Sequence, residues 1–191
     1  GSYSISYQGG SVMTTFLSLE KMQTMVPGSR ILNATSEDTK KTIHLFSTDS
    51  RKIKKDDFFI ALVGEQFDGN QYIHDVMQKG ASGVLASNPD SVPSGFPALL
   101  VEDTLAAMQE IARMWRKELG TKVIVVTGSN GKTTVKEMIA SILREAFGSS
   151  NIVATIGNLN NEIGLPLTML GLESHHAMAV LELGMNHPGE T

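Results

Sequence analysis

Cysteine is absent from this 191-residue sequence, and its absence removes disulfide frameworks, thiolate zinc sites and cysteine nucleophiles together. Long hydrophobic runs are absent too. Clean apolar runs such as Val123-Ile124-Val125-Val126 fall far short of the ~20 residues that span a bilayer, so no membrane insertion is expected. Positive charge is not in excess: 16 Lys and Arg stand against 20 Asp and Glu, and a net charge of −4 is the wrong sign for a partner with a phosphate backbone. Nucleic acid is therefore not an expected partner. What is present is the composition of an ordinary folded chain, with 41% apolar residues, 18 Gly in addition and 19% charged residues. The length fits one large or two small domains, and the lack of cysteine agrees with a cytoplasmic location.

Residues 1–12 have neither a positive n-region nor an apolar h-region and read as an expression-tag remnant before Met13. Residues 13–102 alternate short segments: a helical stretch at 16–26, then strand-like runs at 42–46, 58–63, 83–86 and 98–101, separated by turn residues. This predicts a small N-terminal α/β domain. The Pro-rich stretch 88–97 is expected to be a loop, because an apolar strand follows it at once.

A second unit, 103–191, opens at Asp103 as an N-cap. Leu105, Met108, Ala112, Trp115 and Leu119 then recur at helical spacing up to Gly120. Lys122 to Val126 is β-branched and apolar without alternation, as in a strand covered on both faces of a parallel sheet. A Gly-containing turn follows, and then a helix whose predicted core stripe is Val135, Met138, Ile139, Ile142, Leu143 and Ala146, with Lys136, Glu137, Ser141, Arg144 and Glu145 opposite. A further buried-type strand runs over 177–183. The fold class is α/β: a small N-terminal α/β domain followed by the beginning of a P-loop-type parallel-sheet domain. Two strands cannot bury both faces of a sheet, so the second unit is expected to be the front part of a longer domain.

The strongest chemical signal is Thr127-Gly128-Ser129-Asn130-Gly131-Lys132-Thr133-Thr134, set between a buried strand and an amphipathic helix. Gly128 and Gly131 let backbone N–H groups turn toward an anion, the helix N-terminus adds partial positive charge, Lys132 suits the outer phosphates, and the Thr133 hydroxyl suits Mg²⁺. The strict G-x-x-x-x-G-K-[ST] pattern needs Gly where Val126 stands, so the match is to Gly-Lys-Thr plus its setting. Glu182, near the end of the second strand, is costly there unless it is paired or metal-bound; Mg²⁺ ligation and a core ion pair are both open. The Asn-rich segment 155–167 offers uncharged amide donors, although turns and caps account for such a composition equally well. Ser47-Thr48-Asp49-Ser50-Arg51 and the following 64–70 segment place hydroxyls beside an Arg, which suits a diphosphate or a solvated turn. His44, His74, His175, His176 and His187 show no metal spacing and are expected to be surface or packing residues.

Taken together, the Gly-Lys-Thr loop with Lys136-Glu137-Met138, the Gly157-Asn158 to Pro166 segment, the run from Glu182 to Glu190, and Asp49-Ser50-Arg51 with Asp68-Gly69-Asn70 resemble the Mur ligases. The resemblance covers 13–191, and in this family the loop normally lacks the first Walker glycine. The Asn-rich segment favours the member that adds D-Ala-D-Ala to UDP-MurNAc-tripeptide over the one that adds the third residue.

The resemblance implies an ATP- and Mg²⁺-dependent amide ligase of peptidoglycan precursor synthesis, cytoplasmic and monomeric, working through an acyl phosphate. It implies an ATP cradle of Gly128, Ser129, Asn130, Gly131, Lys132, Thr133 and Thr134, with Lys132 and Glu182 catalytic. Thr133 and Glu182 would hold the metal, Asn158 and Asn161 the reacting substrate region, and Ser50 and Arg51 the UDP. The family also uses a carbamylated lysine, a metal-binding histidine and a C-terminal domain, which are assigned to no residue here, so the 191 residues alone are expected to bind substrate without turnover. Another amide ligase of the superfamily, a P-loop kinase and a pure binding module remain as alternatives.

Overall fold

A computed structural model describes residues 15–184 except 129 and 156. The expected tag remnant, Ser129 and His187 lie outside the described residues.

The first unit is built on a five-stranded sheet. Its strands are β1 (Arg30–Leu32), β2 (Phe46–Ser47), β3 (Phe58–Ile60), β4 (Gly83–Ala86) and β5 (Ala98–Leu100), in the order β1-β5-β4-β3-β2. β2 to β5 run parallel, and β1 pairs antiparallel to β5. The central β3 and β4 are buried on both faces, as apolar runs without alternation require. Helices α1 (Leu19–Met25), α2 (Ser36–Lys40) and α3 (Ile73–Gln78) complete the unit. The strand expected at 42–46 forms a ladder only at Phe46 and Ser47. Before it, Ile43 N–H is taken by the Leu17 carbonyl at 2.9 Å, and Leu45 is 61% exposed at the sheet's edge. β1, α2 and α3 carry no clear period in the sequence because each is too short to show one.

Helix α4 (Thr104–Leu119) begins at Asp103, whose carboxylate accepts from the Ala106 N–H at 3.1 Å, and ends at Gly120 with φ 69°. It joins the two units. Thr104 donates to the Ala61 carbonyl of the first at 2.8 Å, and Trp115 Nε1 donates to the Leu172 carbonyl of the second at 2.9 Å. A single core cluster holds Met22, Phe58 and Leu99 of the first unit, Met108 and Trp115 of α4, and Met169 and Leu181 of the second.

The second unit is a parallel sheet of β6 (Lys122–Val126), β7 (Ile152–Ala154) and β8 (Met178–Glu182) in the order β6-β8-β7. β7 is a third strand beyond the two expected. α5 (Lys132–Phe147) packs on this sheet, α6 (Gly164–Leu170) packs chiefly against α4, and β8 in the centre of the sheet is almost wholly buried. The predicted stripe of α5 is corrected in part. Ile139 and Leu143 pack on Val126, Ala140 and Val180, while Val135, Met138 and Ile142 stay exposed at 46%, 62% and 65%. Lys136, expected on the solvent face, is instead buried. Among the described residues no helix is long and apolar enough to cross a membrane.

Candidate functional site

Parallel pairing of β6 and β8 puts Val126 opposite Glu182, so the turn after β6 and the carboxylate at the end of β8 meet at the same edge of the sheet. This is the edge where open α/β sheets take ligands. The turn reverses through Gly128 at φ 141° and Gly131 at φ 74°, conformations that a side chain would strain. α5 then starts at Lys132 with no side-chain cap, which leaves its first N–H groups directed toward the turn.

Three of the expected residues converge there. Thr133 Oγ1 donates toward Glu182, 3.1 Å from Oε1 and 3.0 Å from Oε2. Lys132 Nζ donates to the Leu183 carbonyl at 3.3 Å. Glu182 is 4% exposed, so its charge needs a partner, and one is present: Lys136 Nζ lies 3.4 Å from Oε2. Lys136 also donates to the Thr155 carbonyl. The ion-pair reading of Glu182 is realised through Oε2, and the same carboxylate also accepts from the Thr133 hydroxyl. That hydroxyl and carboxylate are hard oxygen donors of the kind Mg²⁺ takes in small number, the rest coming from phosphate and water. The residues present fit the cation.

Asn130 and Thr134 are exposed beside the turn. The Asn-rich segment docks on the same edge: Leu159 N–H donates to the Glu182 carbonyl at 2.8 Å, and Gly184 N–H to the Leu159 carbonyl at 2.9 Å. Asn160 serves the structure, its Oδ1 accepting from Ile163 and Gly164 N–H at 2.8 Å each to start α6. Asn158 and Asn161 are exposed and make no side-chain hydrogen bond among the described residues.

Ser50 and Arg51 do not join this group. They stand in the first unit, on a short turn after β2, beside a cleft of about 440 Å³ lined by Thr48, Asp49, Phe67 and Tyr72. Phe67 and Tyr72 stack with ring centres 5.6 Å apart. Arg51 Nε and Nη2 each lie 3.0 Å from an oxygen of Asp49, and this bidentate bond lowers the Asp49 carboxyl to about 2. Asn70 is a buried clamp: it bonds Asp68 and Ser87 Oγ and accepts from the Ser87 and Asn88 N–H groups. Among the histidines, His176 is lowered by burial and by neighbouring His175, and its Nδ1 accepts from the Glu173 N–H at 2.9 Å.

Lys136 is the residue of this corner that sequence reading placed on the solvent face. Its signal was its place four residues after Lys132, hence on the same face of the helix.

Residues 42–116 match the Mur ligase family catalytic domain, and residues 126–191 match the Mur ligase middle domain. The chain belongs to the Mur ligase family. This Mur ligase chain is 43% identical over 170 residues to the UDP-N-acetylmuramoyl-tripeptide–D-alanyl-D-alanine ligase of Bacillus subtilis, covering 87% of the chain and 35% of that protein. Its identity to the enzyme of the same name from Escherichia coli is 41% over 160 residues, covering 84% and 34%. Among solved structures, a MurF from Acinetobacter baumannii superposes with a TM-score of 0.77 at 33% identity, covering 93% of the chain and 37% of that one. The MurF ligase from Thermotoga maritima in complex with ADP gives 0.61 at 32% identity, covering 76% and 33%. The Mur ligase chain thus spans about a third of the length of the relatives it matches.

Proposed function

We propose that this chain carries the nucleotide-sugar recognition unit and the phosphate–metal corner of an ATP-dependent ligase that joins D-Ala-D-Ala to UDP-MurNAc-tripeptide. The observation that carries the reading is the convergence of Lys132, Thr133 and Glu182 at the ends of β6 and β8, in a chain whose relatives bear that ligase name. In this reading the backbone of 128–134 and the Lys132 ammonium cradle the ATP phosphates, and Thr133 and Glu182 hold Mg²⁺. When bound, the cation supplies neutralisation of phosphate charge.

The reaction moves the γ-phosphoryl group to the tripeptide carboxylate, forming an acyl phosphate and ADP. The D-Ala-D-Ala amine then attacks the acyl carbon, an amide forms and inorganic phosphate leaves. The protein's part is positioning and charge stabilisation rather than covalent help. Asn158 and Asn161, uncommitted beside the Glu182 edge, orient the reacting end of the substrate by amide hydrogen bonds. Ser50 and Arg51, with the cleft walled by Phe67 and Tyr72, hold the UDP end; Arg51 exchanges part of its bond to Asp49 for phosphate. The reading includes a cytoplasmic, monomeric protein.

The test is a coupled ADP assay on the ligase that contains these residues. ADP release that requires both UDP-MurNAc-tripeptide and D-Ala-D-Ala supports the reading. Release with a stable phosphorylated hydroxyl product and no amine requirement makes the protein a kinase and overturns it.

A further inference from the structure

Lys136 stands one turn after Lys132 and one turn before the fully buried Ala140 on α5, and is itself 1% exposed. Packing alone does not call for a cation there. A buried ammonium is costly unless it is paired and hydrogen-bonded, and replacing a buried ion pair by well-packed apolar groups is commonly neutral or stabilising. What the ammonium does is geometric. It lies 3.4 Å from Glu182 Oε2 and 3.8 Å from Glu137 Oε1, and it donates to the Thr155 carbonyl. The end of β8, the first turns of α5 and the residue that follows β7 are thereby tied to one charge. The Thr133 hydroxyl lies against both oxygens of that carboxylate, 3.1 Å from Oε1 and 3.0 Å from Oε2.

We propose that Lys136 is a positioning residue that sets the cation-binding corner and the Asn-rich loop together. It holds the Glu182 carboxylate in the orientation in which both oxygens face the Thr133 hydroxyl, and it fixes the start of the loop that carries Asn158 and Asn161. The inference rests on the reading of Thr133 and Glu182 as cation ligands. Outer partners of this kind typically carry about 10–100-fold in metal affinity.

The test uses the ¹⁵N-labelled 191-residue chain with Lys136→Met, Glu182→Gln and the variant carrying both changes. Mn²⁺ with ADP, added as a paramagnetic probe, is expected to broaden the amides of Thr133 and Leu183 in the unsubstituted chain. Glu182→Gln abolishes that broadening, and Lys136→Met shifts it to about 10–100-fold higher Mn²⁺. The second readout is amide hydrogen exchange at Thr155 and Leu159, whose N–H groups bond to the Val180 and Glu182 carbonyls. Relative to β3 and β4, whose protection reports each variant's overall stability, exchange there rises in Lys136→Met and in the double variant but not in Glu182→Gln. Unchanged Mn²⁺ affinity in Lys136→Met, with affinity lost in Glu182→Gln, overturns the positioning role. Absence of broadening in the unsubstituted chain overturns the cation reading alone; exchange at Thr155 and Leu159 then decides the positioning role, and unchanged exchange in the double variant overturns it. Should Lys136→Met fail to fold, the double variant, which leaves no unpaired charge, is compared with Glu182→Gln in its place.

Discussion

Thr133 Oγ1 stands 3.0 and 3.1 Å from the two carboxylate oxygens of Glu182, 49 residues further along the chain. Parallel pairing of β6 with β8 brings them together, since Val126 and Glu182 share a rung and the helix after the turn starts over that rung. A hydroxyl and a carboxylate in this relation form a hard-oxygen pair beside a helix N-terminus, and the predictions for this corner follow from it.

Lys132 is half-buried and belongs to no core cluster, its ammonium resting on the Leu183 carbonyl. Lys132→Ala is expected to leave the circular dichroism spectrum unchanged. In the ligase containing this chain, ATP turnover should fall by about 10²–10³-fold, the cost of removing one preorganised charge-stabilising group. Near-normal turnover in the folded variant would remove Lys132 from the cradle.

Glu182→Gln is expected to be costly for the fold as well as for metal dependence, because it leaves buried Lys136 without its counter-charge. Breaking such a pair from one side costs about 3–5 kcal/mol. Adding Lys136→Met removes the orphaned charge, so urea denaturation should recover most of that stability without restoring metal dependence. A double variant no more stable than Glu182→Gln would mean that the pair is not the source of the loss.

How far the sequence disclosed this arrangement depends on how much of each element's surroundings is local. α4 was legible at both ends, because Asp103 and Gly120 cap it through their own backbone neighbourhood. β4 was legible at full length and β8 nearly so, because strands buried on both faces are apolar throughout. The α5 stripe was misread because helical period alone does not reveal which apolar residues the sheet covers. Val135, Met138 and Ile142 fit the period as well as Ile139 and Leu143 do, yet only the latter two meet Val126 and Val180. Lys136 was hidden for a related reason: a cation signals solvent until its partners are known, and those partners, Glu182 and Thr155, are remote in sequence.

Asn70 joins the 68–70 turn to the residues after β4 through its side-chain amide, accepting from Ser87 and Asn88 N–H at 3.2 Å each. Asn70→Ala leaves those groups short of a partner and is expected to cost about 1–3 kcal/mol. Thermal unfolding measures it. An unchanged melting temperature would mean that water or a shifted backbone replaces the clamp.

Asp49 titrates low because Arg51 bonds to its charged form, so the pair favours the fold above the ordinary aspartate value of 3.8 and is lost as pH falls through about 2. NMR titration of the Asp49 carboxyl should give a midpoint near 2 in the unsubstituted chain and a return toward 3.8 in Arg51→Ala. A midpoint of 3.8 in both would dissolve the pair.

Calorimetric titration of the 191-residue chain with UDP-MurNAc-tripeptide, beside the Arg51→Ala variant, tests the central assignment most directly. The account predicts saturable binding to the chain that Arg51→Ala weakens severely while the fold is kept, because the cleft beside Asp49, Ser50 and Arg51 lies within the five-stranded unit. Binding that Arg51→Ala leaves intact, or no binding by a chain shown to be folded, would contradict it.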